Sequence, residues 1–150
     1  MKISHAIEIH NTPEKVFHWL NNPKRAMSWM ASVAKTEILH ETPDMVGTTF
    51  REIVAENGQE TELYGVVTDY RPNQLIAFHL SGKFNVVDVA YYLEGIANGT
   101  RLTQRADIRF KAFLKLLSIL IGPILKKNLM AQSQKEFARL KELCEQDTSD

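Results

Sequence analysis

A run of turn signals cuts the middle of this chain into strand-length pieces, and that spacing limits its fold more than any other feature. Pro43-Asp44, Asn57-Gly58, Pro72-Asn73, Ser81-Gly82 and Asn98-Gly99 all fall between Ser32 and Phe110. Asn-Gly is a strong hairpin signal because both central residues of a type I′ turn need positive φ. Six strands fit between these marks, at about 33–41, 46–56, 59–71, 74–80, 83–94 and 99–110. Ile3, Ile7 and Ile9 alternate with Lys2, Ser4, Glu8 and His10, which adds a half-buried first strand. Short connections between successive strands make the sheet antiparallel and mostly a meander.

Helical patterns flank this block. Thr12 can accept a bond from an orphan backbone amide, Pro13 has the φ wanted at the first helical position, and Glu14 sits at the positive end of the dipole. Val16, Phe17 and Leu20 form the apolar side of that short helix, which Asn21-Asn22-Pro23 ends. A second short helix runs from Pro23 to about Trp29. From Lys111 to about Gln146 the pattern is helical again, with a kink or break expected at Gly122-Pro123. Phe137, Leu140, Leu143 and Cys144 share a stripe on its second half. The expected architecture is α+β: a curved antiparallel sheet of seven strands wrapped on a long C-terminal helix, with two short helices after the first strand. It forms one domain over residues 1–146, followed by a frayed tail at 147–150.

Composition removes several function classes. Acidic and basic residues balance at 18 each, so the basic footprint of a nucleic-acid binder is missing and no nucleic-acid partner is expected. The single cysteine, Cys144, permits neither an intrachain disulfide nor a thiolate metal cluster. His5, His10, His18, His40 and His79 show no zinc-ligand spacing, so no metal is expected. No phosphate-cradling glycine loop and no Gly-x-Ser-x-Gly elbow occurs, and no cofactor is expected. The N-terminus has no apolar signal region and no stretch is long enough for a confident membrane span, which makes the cytoplasm the expected compartment.

Several short pieces resemble one known superfamily. Thr12-Pro13-Glu14-Lys15-Val16-Phe17 with Leu20 looks like that group's first helix, and Asn22-Pro23 with Trp29 like its proline and downstream tryptophan. Val46-Gly47-Thr48-Thr49-Phe50, Arg71-Pro72-Asn73-Gln74-Leu75, Tyr91-Tyr92-Leu93-Glu94, Gly99-Thr100-Arg101-Leu102-Thr103 and Leu140-Lys141 with Leu143 and Glu145 follow in matching order. Together they resemble the START-like (SRPBCC, birch-pollen-allergen-like) helix-grip proteins, and most of all the bacterial polyketide cyclase/dehydrase-like group. The resemblance implies a sheet gripping the last helix with a cavity between them. It leaves function broad, since such proteins include lipid carriers, hormone binders, cyclases, coenzyme Q-binding proteins and activators of a chaperone ATPase.

Strand parity indicates what points into such a cavity. His5 goes with Ile3, Ile7 and Ile9; Glu52 with Phe50 and Val54; Asn85 with Val87, Val89, Tyr91 and Leu93; Gln104 with Leu102, Ala106, Ile108 and Phe110. The candidate ligand-binding set is Trp29, Phe50, Glu52, Leu63, Val67, Phe78, Asn85, Tyr91, Gln104, Phe113 and Leu117, with Glu52 and His5 as candidate catalytic groups. A few polar groups on a greasy wall orient a ligand. The plainer alternative is that they sit at the mouth or satisfy one another. Arg101, Arg105 and Arg109 share the opposite face of the last strand, read as solvated, with an anionic partner as the sharper alternative.

Placed on a helix from Lys111 to Ile121, the start of the apolar segment Phe113–Leu125 has Lys111, Lys115 and Ser118 on one narrow face and is apolar over roughly two-thirds of the circumference, more than the stripe a surface helix shows. Something must cover the excess: the protein's own short helices and cavity, a homodimer, or peripheral membrane contact with Lys115, Lys126 and Lys127 near headgroups. The expected function is binding, with transport as its extension, of a hydrophobic small molecule such as a lipid, quinone or polyketide-like compound. A cyclase/dehydrase-type enzyme and a protein-interaction module are the alternatives.

Overall fold

The computed structural model describes residues 1–56 and 58–148, with the side chains of Glu56 and Phe113 outside the described part. The expected turn residue Asn57, the ligand-set side chain of Phe113, and the tail residues Ser149 and Asp150 therefore lie outside it. Elements run β1 (Lys2–Ile9), α1 (Pro13–Asn21), α2 (Pro23–Trp29), β2 (Val33–His40), β3 (Thr49–Glu56), β4 (Gln59–Arg71), β5 (Leu75–Gly82), β6 (Asn85–Ile96), β7 (Gly99–Phe110) and α3 (Ala112–Gln146). The sheet order is β1-β7-β6-β5-β4-β3-β2, with every neighbouring pair antiparallel. β1 and β2 are the two edges, and α1 and α2 carry the chain between them. This is the helix-grip fold.

Local chemistry explains the elements. The Thr12 side chain accepts from the Lys15 amide at 3.3 Å, and Pro13 opens α1. Asn22 ends α1 and caps α2, its Oδ1 accepting from Lys24 N at 3.0 Å and Arg25 N at 3.4 Å. In the β4–β5 turn, Pro72 precedes Asn73 at φ 65°, and Gln74 N donates to Arg71 O at 3.0 Å. That is a type II arrangement, with an asparagine tolerating the left-handed position.

Two other turns fall slightly later or earlier than their signals. The β6–β7 loop is Ala97-Asn98, with Gly99 already in β7. Gly82 belongs to β5, where a Cβ would stand 2.5 Å from Leu63 Cδ2. This glycine serves close approach between strands rather than a turn.

Parity holds across the sheet: Ile9, Phe50, Val67, Ile76, Val89, Tyr91, Leu93, Leu102 and Ile108 are buried on the concave face. A bulge at Val67/Asp69 then turns β4, and Tyr70 packs edge-on against Phe17 of α1 at 5.4 Å. The second half of α3 fills the concavity through Phe137, Leu140 and Cys144, which are fully buried.

Three expectations need correction. Of the kink or break expected at Gly122-Pro123, the break is not realised: helix α3 continues through Pro123. Proline deletes one bond from a helix more than thirty residues long, and the exposed setting leaves the freed carbonyl to water. One broad side of the first half of α3 is not covered by the protein: Leu116, Ile119, Leu120 and Ile124 are 66–74% exposed. Asp147, placed in a frayed tail, accepts at Oδ2 from Trp19 Nε1 at 3.0 Å and pairs with Arg25 at 3.4 Å. Its carbonyl accepts from Asn11 Nδ2 at 3.1 Å.

The arginine row is a solvated and internally paired face. Arg101 bonds Glu8 and Glu94, Arg109 bonds Asp88, and Arg105 lies over the Tyr92 ring.

Candidate functional site

Two adjoining hollows occupy the space between the sheet and the helices. The first, about 110 Å³, lies under α1 and α2. Its ceiling is Leu20, Asn21, Pro23, Ala26, Trp29 and Met30, and its floor includes Thr36, Phe50, Glu52, Val67, Ile76, Phe78 and Tyr91. The second, about 210 Å³, lies under α3 between Ile3, Val87, Gln104, Ala106 and Ile108 on the sheet and Leu129, Gln132, Ser133 and Glu136 on the helix. They share Leu80, Val89 and Tyr91, so these three side chains stand between them. Each is smaller than the roughly 300–1,000 Å³ of a drug-sized ligand site. A larger depression of about 390 Å³ is open among Lys2, Thr68, Asp88, Arg105 and Asp107, and Ile3, Phe78, Val89 and Ala106 border both it and the hollows.

An aromatic frame holds the hollows open. Trp29 meets Tyr91 at 6.4 Å and Phe137 at 6.3 Å between centroids, and Phe78 meets Phe50 at 5.4 Å and Tyr91 at 6.4 Å. Three of these contacts are edge-on and Trp29–Phe137 is tilted, geometries that add to the burial of the rings. Trp29 itself is anchored by Nε1 donating to Trp19 O at 3.3 Å.

Polar groups are few and specific. Ser133 Oγ donates to Gln104 Oε1, and Gln104 Nε2 donates to Tyr91 Oη at 3.2 Å. Tyr91 is thus an acceptor in this chain, and its own O–H is left as a donor. Burial pushes its phenol well above the ordinary range.

Glu52 on β3 makes no hydrogen bond among the described residues. Burial, reinforced by the charge of Glu136 on α3, pushes its carboxyl up to about 7. Across the β2–β3 register it sits opposite Thr36, whose Oγ1 is buried without a partner. Glu52 can therefore hold or release a proton near neutrality, and Thr36 can donate to or accept from whatever occupies the hollow.

Of the candidate set, Trp29, Phe50, Glu52, Val67, Phe78 and Tyr91 line the first hollow, and Gln104 lines the second. Leu63 and Asn85 lie together at Gly82, at the far end of β4–β6, and line neither hollow. Leu117 is 50% exposed, on the outward side of the first half of α3, and lines neither hollow. His5 packs against Phe137 at 5.3 Å between rings and lines neither hollow. It lies on β1, at the opposite side of the sheet from Glu52 on β3, so the two candidate acid–base groups do not meet. Thr36, Ser133 and Glu136 were missed. Extending the Phe137–Leu140–Cys144 stripe back one turn reaches Ser133, but Thr36 lies on a twice-bulged strand whose alternation is blurred.

Residues 1–145 match the family described as polyketide cyclase / dehydrase and lipid transport. The chain belongs to that family. The match spans nearly all of this polyketide cyclase/dehydrase-family chain, so the family assignment rests on the whole domain rather than on one motif. Its fold is also that of an aromatase/cyclase from Streptomyces sp. R1128, at 14% identity and TM-score 0.79, covering 97% of this chain and 93% of that one. A START superfamily protein from Mycobacterium smegmatis superposes with TM-score 0.78 at 19% identity, covering 97% of both chains. A protein from Chromobacterium violaceum does so with TM-score 0.77 at 16% identity, covering 97% of this chain and 98% of that one. No curated protein matches the chain in sequence. At these identities the structural likeness concerns the fold, which a family of cyclases and lipid carriers shares.

Proposed function

We propose that this protein binds a hydrophobic small molecule of the lipid, quinone or polyketide-like class, seated across both hollows with its polar end at Glu52. The observation that carries this is that Glu52, without a hydrogen bond among the described residues, sits opposite the buried, partnerless Thr36 hydroxyl in a mostly apolar lining. Buried polar groups without partners are costly, and a ligand's polar end supplies what the protein does not. The remaining affinity comes from burial: covering about 300 Å² of apolar ligand surface gives roughly 7 kcal/mol before ordering costs. Rotation of Tyr91 or displacement of α2 around Trp29 joins the hollows. Native mass spectrometry of protein purified from cells, followed by solvent extraction, tests this directly. A stoichiometric bound mass of this chemical class is expected; an apo mass together with no uptake from a lipid and quinone panel overturns it.

A second reading, catalysis of the cyclase/dehydrase type, is favoured by the position of Glu52 near neutrality. There Glu52 moves the proton, and Tyr91, bonded by Gln104, orients a carbonyl. Glu52→Ala separates the readings: a carrier keeps its function with altered affinity, whereas an enzyme loses turnover at nearly unchanged binding.

A further inference from the structure

We propose that the stretch of α3 from Leu116 to Lys127 is a docking face for an anionic lipid surface, on which the helix lies flat. It is independent of what the hollows bind. Leu116, Leu117, Ile119, Leu120, Ile121 and Ile124 are all exposed, four of them by two-thirds or more. At 100° per residue they cover an arc of roughly 200°. Ser118, Gly122 and Leu125, the half-buried positions of the same stretch, and Leu114 just before it occupy the opposite side. The exposed arc is thus a broad convex apolar surface rather than a groove.

Charge selects the occupant. No acidic residue lies between Asp107 and Glu136, while Lys111, Lys115, Lys126, Lys127 and Lys135 all do, in a chain of zero net charge. Lys111, Lys115, Lys126 and Lys127 have no ion-pair partner among the described residues. A second copy packed by a two-fold axis sets this cationic helix against itself with nothing to neutralise it. An anionic bilayer complements both features: acyl chains accept the apolar arc and headgroups accept the ammonium groups, which reach them on flexible stems. No helix among the described residues is long and apolar enough to cross a membrane, which fits lying on the surface rather than spanning it. The segment also leads directly to Leu129, in the wall of the second hollow.

The experiment is vesicle flotation of the full chain with pure phosphatidylcholine and with phosphatidylcholine containing phosphatidylglycerol. Binding to the anionic vesicles is expected to exceed binding to the neutral ones by about tenfold and to weaken with salt. Leu116→Glu/Leu120→Glu abolishes it, and Lys126→Glu/Lys127→Glu removes the preference for anionic lipid. All four positions are exposed; circular dichroism checks that the variants keep the fold. No flotation with either vesicle, or flotation unchanged in Leu116→Glu/Leu120→Glu, overturns the proposal. So does a dimer seen by light scattering that Leu116→Glu/Leu120→Glu dissociates, which assigns the face to a second copy.

Discussion

The ring of Phe50 occupies the space that a side chain at position 65 would need: a Cβ on Gly65 would stand 2.2 Å from Phe50 Cζ. Gly65 is therefore the floor on which one wall of the first hollow rests. Gly65→Ala pushes Phe50 toward Phe78 and into the hollow. The expected outcome is a loss of about 1–3 kcal/mol in denaturant stability, the usual cost of overpacking, together with weaker uptake of any bound ligand. Phe50→Leu in the Gly65→Ala background restores part of both, and a double-mutant cycle measures the coupling.

Glu52 makes stability depend on pH in a defined direction. Its carboxyl rises from 4.5 to about 7 on folding, so the folded state holds the proton more tightly. Below the unfolded value both states are protonated and stability is highest. Between about 4.5 and 7 the unfolded chain ionises first, and the advantage is lost as pH rises through the folded value. Glu52→Gln removes this loss. The stability difference between Glu52→Gln and wild type, measured by urea denaturation, should grow by about 1–3 kcal/mol from pH 4.5 to pH 8. A difference that stays flat over this range contradicts the assignment.

Cys144 is fully buried, and burial, with the charge of Asp147 next, pushes its thiol up to about 12. The thiolate is the reactive form, so the native protein at pH 8 should not react with a disulfide reagent over minutes, whereas protein in guanidinium reacts at once. Fast native labelling contradicts the packing of α3 against β1 and α1.

Asp147 ties the end of α3 to α1 and α2 through Trp19 and Arg25, and Arg25 also stacks over the Trp19 ring at 4.6 Å. Asp147→Ala leaves an indole N–H without its acceptor. A loss of about 1–2 kcal/mol is expected, or roughly 2–8 °C in Tm, with a shift in tryptophan emission. Unchanged emission and Tm show that the contact contributes nothing in solution.

Much of this fold was legible because its signals are local. Period-two alternation depends only on the extended backbone, and it placed Phe50, Glu52, Tyr91 and Gln104 on the concave side. Thr12-Pro13 and Asn22-Pro23 mark helix starts through bonds that span three residues. Positions were misjudged where a local signal had a distant cause. Gly82 reads as a turn, but it is a strand glycine because Leu63 leans over it.

Which inward residues meet was decided by tertiary structure alone. Parity gives a side chain's direction, but the line along which α3 crosses the sheet decides what lies opposite it. That line brings the charge of Glu136 to bear on Glu52, places Ser133 on Gln104, and leaves His5 against Phe137 instead of near Glu52. It also ends before the first turns of α3, so the apolar excess around Leu120, plain in the sequence, is exposed in the structure. The sequence by itself determined the elements, their order and the two faces of each strand, because these follow from backbone period and capping. The hollows, the partnerless Thr36 and Glu52, and the uncovered helix came only from the tertiary structure, because each depends on distances between residues far apart in the chain.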